Sequence, residues 1–388
     1  MKNKFLFIVL TVISIGNIYS QSSINPDISL IGTFNTYTNF IKGSPGYGKL
    51  NFDIPEMELF VDGYLNPYAR ASANISYENN EFGVEELYGD IVRGLPLDIQ
   101  IKAGKFLVGF GKLNTVHPHA WPFLERPLFH QVFFGEGGFN DVGVNFSFII
   151  PTGDVFTNLD LGVFKGASII PMSDSYAIDR GVNPIFVGRL GTFWSLDDYT
   201  NLEVGLSGSY GCYSKANLVV FGIFNQENVQ ALNHFYSGLD FKFKYSPTAY
   251  SVLTIQGEGL LNNRDVPRIP VMGIDYTLAS VQKINNAGAF IYADYKFEKQ
   301  FSFGIKYDYT AGIFGSAPTF LSLANDDKNS TQGIEAWFSY YPVEETSVVR
   351  LGIQNLMYHY ADGTNRNNET TIKLQFLFSL GPHKAHPF

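Results

Sequence analysis

Apolar and polar residues alternate with a period of two along almost the whole chain. The alternation divides it into about sixteen segments: 27–40, 51–65, 68–79, 82–94, 97–111, 141–151, 155–166, 185–197, 200–213, 233–246, 249–262, 284–298, 300–312, 331–342, 346–360 and 370–380. In 370–380, Ile372, Leu374, Phe376, Phe378 and Leu380 fall on one face, while Thr371, Lys373, Gln375 and Ser379 fall on the other. In 233–246, Leu239, Phe241, Phe243 and Tyr245 oppose Asp240, Lys242 and Lys244. Successive side chains of a strand point to opposite sides, so each segment predicts a strand with one apolar and one water-facing surface.

A soluble sandwich alternates too, and the connections separate the two architectures. Tight links at Asn66-Pro67, Gly94-Leu95-Pro96, Pro151 to Asp154, Asp197-Asp198, Ser246 to Thr248, Glu298-Lys299 and Pro342 to Glu345 take every second position. Between them lie the long polar stretches 112–140, 167–184, 213–232, 263–283, 313–330 and 361–369; only Asn79 to Glu81 is short. The pattern predicts an all-β chain: a transmembrane antiparallel β-barrel of about 16 strands with short periplasmic turns and long extracellular loops. An even count closes the sheet, leaves no unpaired edge in lipid and is wide enough for an aqueous channel.

The ends fit that reading. Lys2 and Lys4 precede an apolar run, Phe5 to Ile15, and Ile18-Tyr19-Ser20 precedes Gln21, so residues 1–20 read as a signal peptide. Residues 21–388 then form a single outer-membrane barrel domain, with 381–388 a short periplasmic tail. A TonB-dependent receptor is disfavoured, because only a handful of residues precede the first strand to hold a plug domain. Thirty-five Phe, 23 Tyr and 38 Gly suit strands with interfacial rings and close backbone approaches. The formal charge of -9 becomes -11 without Lys2 and Lys4, which argues against nucleic acid as a partner. The partners expected are outer-membrane lipid and lipopolysaccharide. The barrel-insertion machinery is another, reading an aromatic signal at Phe376, Phe378 or Phe388. The lone Cys212 rules out a disulfide framework. No G-x-S-x-G, H-E-x-x-H, P-loop or dinucleotide fingerprint is present, and His359 reads as an interfacial anchor, so neither an enzyme nor a cofactor is expected.

Five phrases carry a resemblance. They are Glu85-Glu86-Leu87-Tyr88, the Gly94 to Pro96 turn, Gly104-Lys105-Phe106, Gly109-Phe110-Gly111 and Phe123-Leu124-Glu125-Arg126-Pro127-Leu128. Over residues 51–151 the chain resembles the phosphate-selective porin (O and P porin) family of Gram-negative outer membranes, and the signal end before Gln21 with the aromatic richness looks like a Bacteroidetes-type protein. The resemblance implies a passive channel, often a homotrimer, whose third long loop folds into the lumen as a constriction. Residues 112–140 occupy that place. The family's selectivity rests on lysines and an arginine ladder, whereas this loop offers only Lys112 and Arg126 against Glu125 and Glu136. The expectation is therefore a porin for small hydrophilic solutes or ions, without phosphate specificity.

The candidate constriction residues are Lys112, His117, His119, Glu125, Arg126 and Glu136. The inward faces carry Glu56, Glu58, Asp62, Arg70, Glu86, Asp90, Lys102, Asp160, Arg189, Glu203, Lys242, Lys244, Glu258, Asp294, Lys296, Lys306, Asp308, Glu335, Arg350 and Lys373. Acids lead, which predicts weak selectivity with a slight lean to cations. Arg126 is expected to pin the loop to Glu86 or Asp90. His117-Pro118-His119, with His130, is a candidate metal-ligand set. Pro118 is expected to send the two rings apart, so a structural loop role is the default and no metal is assigned. The C-terminal pair His383 and His386 reads likewise as part of a periplasmic tail. The alternative function is a ligand- or metal-binding receptor barrel that uses the 112–140 loop.

Overall fold

The computed structural model describes residues 26–381, apart from 79–80, 154, 167–176, 180–183, 214, 218, 221–222, 225–231, 269–279, 313–327, 344–345 and 364–365. Sixteen strands form one closed antiparallel barrel. They are β1 (Asp27–Ile41), β2 (Leu50–Asp53 and Met57–Asn66), β3 (Ala69–Glu78), β4 (Glu81–Ile91), β5 (Gln100–Leu107), β6 (Asn140–Thr152), β7 (Val155–Phe164), β8 (Ile185–Asp197), β9 (Thr200–Tyr213), β10 (Leu232–Thr248), β11 (Ser251–Arg268), β12 (Ser280–Phe297), β13 (Phe301–Ala311), β14 (Ser330–Val343), β15 (Ser347–His359) and β16 (Glu369–Leu380). Each pairs with its sequence neighbours, and β1 closes the ring by pairing with β16, Gly32 opposite Phe378.

The segments read as 249–262 and 284–298 extend to Arg268 and back to Ser280, shortening the expected 263–283 loop. Two further strands depart from the expected bounds for local reasons. The segment read as 51–65 is interrupted at Ile54 to Glu56, where Pro55 cannot donate to the ladder. The segment read as 97–111 holds the wall only over Gln100–Leu107, because the chain turns inward from Val108. Residues 1–20, read as a signal peptide, and the segment from 382 onward, with His383, His386 and Phe388, lie outside the described residues.

The barrel is apolar outside. Leu206, Leu239, Ile305 and Leu351 are 57%, 55%, 56% and 52% exposed, while their neighbours Ser207, Asp240, Lys306 and Arg350 point inward and are buried. Among the described residues no helix is long and apolar enough to cross a membrane; the apolar girdle is carried by strands. The buried hydrophobic cluster lies inside the lumen. It joins wall residues such as Tyr88, Tyr236, Phe290, Tyr292 and Trp337 to Phe110, Trp121, Phe123, Phe129, Phe133 and Phe139 of the loop between β5 and β6.

Candidate functional site

That loop, the third on its side of the barrel, crosses the lumen. It leaves the wall at Val108, and Gly111 makes the turn with φ +68, where an added Cβ would run into the Glu258 carboxylate. The backbone amides that follow are satisfied by the opposite wall: Gly111 N–H donates to Ser207 Oγ at 3.0 Å and Lys112 N–H to Glu258 Oε1 at 2.9 Å. Asn114 closes the neck of the loop. Its Nδ2 donates to the carbonyls of Val108 (2.7 Å) and Phe139 (2.9 Å), and its Oδ1 accepts from Phe139 N–H (2.9 Å).

The middle of the loop is held by the far wall. Arg350 donates to the carbonyls of Trp121 (3.0 Å) and Phe123 (3.2 Å), while Gln375 and Ser339 accept its remaining hydrogen bonds. Lys306 pairs with Glu335 at 2.8 Å and Asp308 at 3.2 Å, donates to the Glu125 carbonyl, and lies 4.3 Å over the Phe123 ring. Leu124 N–H donates to Glu335 Oε1 at 2.6 Å. A two-turn helix, α1 (Leu128–Phe134), follows Pro127 and stops at Gly135 in a positive-φ conformation. Glycines on the inward faces leave room for this packing: a Cβ on Gly288, Gly333 or Gly352 would meet Phe129, Leu128 or Leu124. Phe123 makes edge contacts with Tyr292 and Trp337 at 5.2 and 6.0 Å, a geometry in which each ring pair adds about 1 kcal/mol beyond its buried area.

The near wall receives the histidines. Pro118–Ala120 forms a single 3-10 turn with Pro118 at its start, and this turn stacks the His117 and His119 rings at 5.6 Å and 15°. The expectation that Pro118 separates them is corrected: the proline opens a tight turn rather than continuing an extended segment. The ladder between β3 and β4 slips after Asn74, which faces Glu86 while Ile75 faces Val84, so Glu85 is an unpaired bulge residue. Adjacent Glu85 and Glu86 therefore both reach His117. Its Nε2 donates to Glu86 Oε2 at 3.0 Å, and its Nδ1 lies 3.6 Å from Glu58 Oε2 and 3.7 Å from Glu85 Oε2. His119 Nδ1 meets Glu58 Oε1 at 3.0 Å. Burial opposes charge on His117, yet the Glu86 hydrogen bond and the Glu58 and Glu85 carboxylates overcome it and lift the imidazole to about 10.

His130 does not join this group. It is buried in the aromatic cluster with Nε2 3.3 Å from Glu258 Oε2, and burial holds its pKa below the ordinary histidine value. The structure also corrects the expected anchor of Arg126. Its guanidinium covers the Trp121 ring at 4.8 Å, and among the described residues it makes no ion pair with Glu86 or Asp90. Glu86 is engaged by His117 and the Leu107 amide instead. The anchoring pair comes from Glu125, whose carboxylate meets Lys373. Lys112 reaches Glu203 at 2.5 Å. Glu125, Arg126 and the exposed Glu136 share a recess of about 390 Å³ with Asp53, Glu78 and Gln131. Sequence reading missed Asn114 and Glu85; an Asn inside a loop and a bulge residue carry no periodic signal.

The lumen charges divide by burial. Of the twenty inward positions, six acids and two bases are buried, whereas five acids and seven bases are half-buried. Glu86 and Arg350 belong to the buried set that touches the loop. Asp90, Lys102, Arg189, Lys242 and Lys244 belong to the half-buried set. Lys102 lies 4.5 Å over the Tyr88 ring, and Arg189 pairs with Asp240 at 2.6 Å.

No protein-family model matches the chain. An uncharacterized protein of Aquifex aeolicus (strain VF5) is 28% identical over 401 residues, which span 95% of this chain and 81% of that protein. The anion-selective porin from Comamonas acidovorans superposes with a TM-score of 0.56 at 11% identity, covering 92% of this chain and 100% of the porin. The outer membrane channel DcaP of Acinetobacter baumannii gives 0.55 at 12% identity, over 92% and 99%. OmpT, an outer membrane protein of Vibrio cholerae, gives 0.54 at 8% identity, over 94% and 100%. The chain thus has the porin-like barrel fold of outer-membrane proteins.

Proposed function

We propose that this protein is an outer-membrane porin-like channel for passive diffusion of small hydrophilic solutes or ions, and not an enzyme. The observation that carries the reading is a sixteen-stranded barrel whose third long loop lies across a charged lumen and leaves a half-buried band of wall charge beside it. In this reading residues 1–20 export the chain, and it assembles as a trimer among lipid and lipopolysaccharide. The phrases within residues 51–151 support kinship with the phosphate-selective porins, and the signal end before Gln21 with the aromatic richness supports a Bacteroidetes-type form. Lys112, His117, His119, Glu125, Arg126 and Glu136 act at the constriction, the first five by holding or flanking the loop and Glu136 from the rim of the recess.

Selectivity is weak, and its sign follows the wetter charges. All inward charges together favour cations, but most of the acids are used to hold the loop. The half-buried band has more bases than acids, and charge near water acts on a passing ion. A slight anion preference results. Planar-bilayer recording of the purified protein tests the reading: steady open steps are expected, and a barrel that inserts yet stays silent would overturn it.

A further inference from the structure

We infer that Glu58, His117 and His119 form a binding site for a divalent transition-metal ion inside the barrel, completed by Glu85 and fastening the loop to β2 and β4. The inference goes beyond conduction and holds whether or not the barrel conducts.

The donor atoms of Glu58, His117 and His119 already lie within 4.8 Å of one another, as do those of Glu56, Glu58 and Glu85. Both Nδ1 atoms face the same carboxylate: His119 Nδ1 is 3.0 Å from Glu58 Oε1 and His117 Nδ1 is 3.6 Å from Glu58 Oε2. Glu85 Oε2 stands 3.7 Å from His117 Nδ1. Two ligand atoms each about 2.0–2.1 Å from a tetrahedral ion are separated by about 3.3 Å, so small side-chain shifts suffice to close the shell. His117 Nδ1 is buried and has no hydrogen-bond partner among the described residues, and it points into the gap between Glu58 and Glu85.

The surroundings match what a metal ligand requires. A ligating histidine ordinarily donates its other ring N–H to a carboxylate, and His117 Nε2 meets Glu86 at 3.0 Å in that way. The Asn74 amide donates to Glu58 Oε2 at 2.7 Å and to Glu85 Oε2 at 2.8 Å, which orients both carboxylates. Mixed imidazole and carboxylate donors suit zinc, cobalt or nickel rather than the all-oxygen shells of calcium and magnesium. The ligands come from the wall and from the loop, so one ion would hold the two together. The carboxylates of Glu58, Glu85 and Glu86 gathered around His117 supply the negative charge that a divalent ion needs.

Cobalt(II) titration of the full-length protein in detergent, after chelator treatment, tests the site. One equivalent per chain is expected, with a visible d–d absorption band that zinc removes. H117Q/H119Q should abolish the band, and H383Q/H386Q in the tail should leave it intact. E86Q, which replaces the carboxylate behind His117 with a neutral amide, should weaken cobalt binding about 10- to 100-fold. Correct folding of each variant is read from its heat-modifiable gel migration. If the double variant does not fold, H119Q alone replaces it, with at least about a tenfold loss expected. Absence of saturable binding, a band that survives H117Q/H119Q or H119Q, or a band lost in H383Q/H386Q would overturn the site.

Discussion

Arg350 on β15 donates to the carbonyl of Trp121 at 3.0 Å, joining residues 229 positions apart and tying the loop that leaves β5 to a wall ten strands further on. The guanidinium is buried, and four groups accept its hydrogen bonds, so the loop backbone and β14 to β16 are held by one side chain. Arg350→Leu leaves two loop carbonyls and Gln375 without their donor, at a cost of about 3 kcal/mol. The expected outcome is a lower Tm with the barrel retained, together with larger and noisier conductance steps.

Asn114 supplies three hydrogen bonds at the neck of the loop, all buried. Asn114→Ala leaves the Phe139 N–H without its acceptor and takes one of two donors from each of the Val108 and Phe139 carbonyls, and should destabilise the docked loop by about 2 kcal/mol. Limited proteolysis between residues 112 and 140 should speed up, while the rest of the barrel stays resistant.

The histidine buried beside Glu258 should make the loop sensitive to acid. His130 titrates below its ordinary value of about 6.5 because burial disfavours its charged form. A histidine depressed in the docked state stabilises docking above about 6.5. That contribution falls away as the pH drops further, because the released loop binds the proton more readily. Proteolysis of the loop should therefore accelerate from pH 7 to pH 5, and His130→Gln should flatten this limb.

Lys242 and Lys244 line β10 in the half-buried band, near Lys112 and Glu203. Neutralising both with Lys242→Gln and Lys244→Gln should move the reversal potential in a salt gradient toward cations. An unchanged value would remove them from the permeation path.

Most of the barrel was legible because the period of two and the alternating turn lengths are imposed by lipid on one side and water on the other. The break at Pro55 and the early end of β5 at Leu107 were less so, since both depend on what the loop does in three dimensions. The position of the loop could be read from its place in the order of connections. Its partners could not, because Arg350, Lys306 and Glu335 reach it from strands some two hundred residues away. Period-two reasoning also places Glu85 and Glu86 on opposite faces, and only the bulge after Asn74 brings both to His117. For Arg126 and Glu125 the sequence offered no means to choose Trp121 and Lys373 as their partners.

The central claim is that the loop between β5 and β6 sets the width of the pore. Deletion of residues 115–136, with the barrel shown to be folded by heat-modifiable migration, tests it most directly in single-channel recordings. A several-fold rise in unitary conductance is expected, and conductance unchanged from the intact protein would contradict the claim.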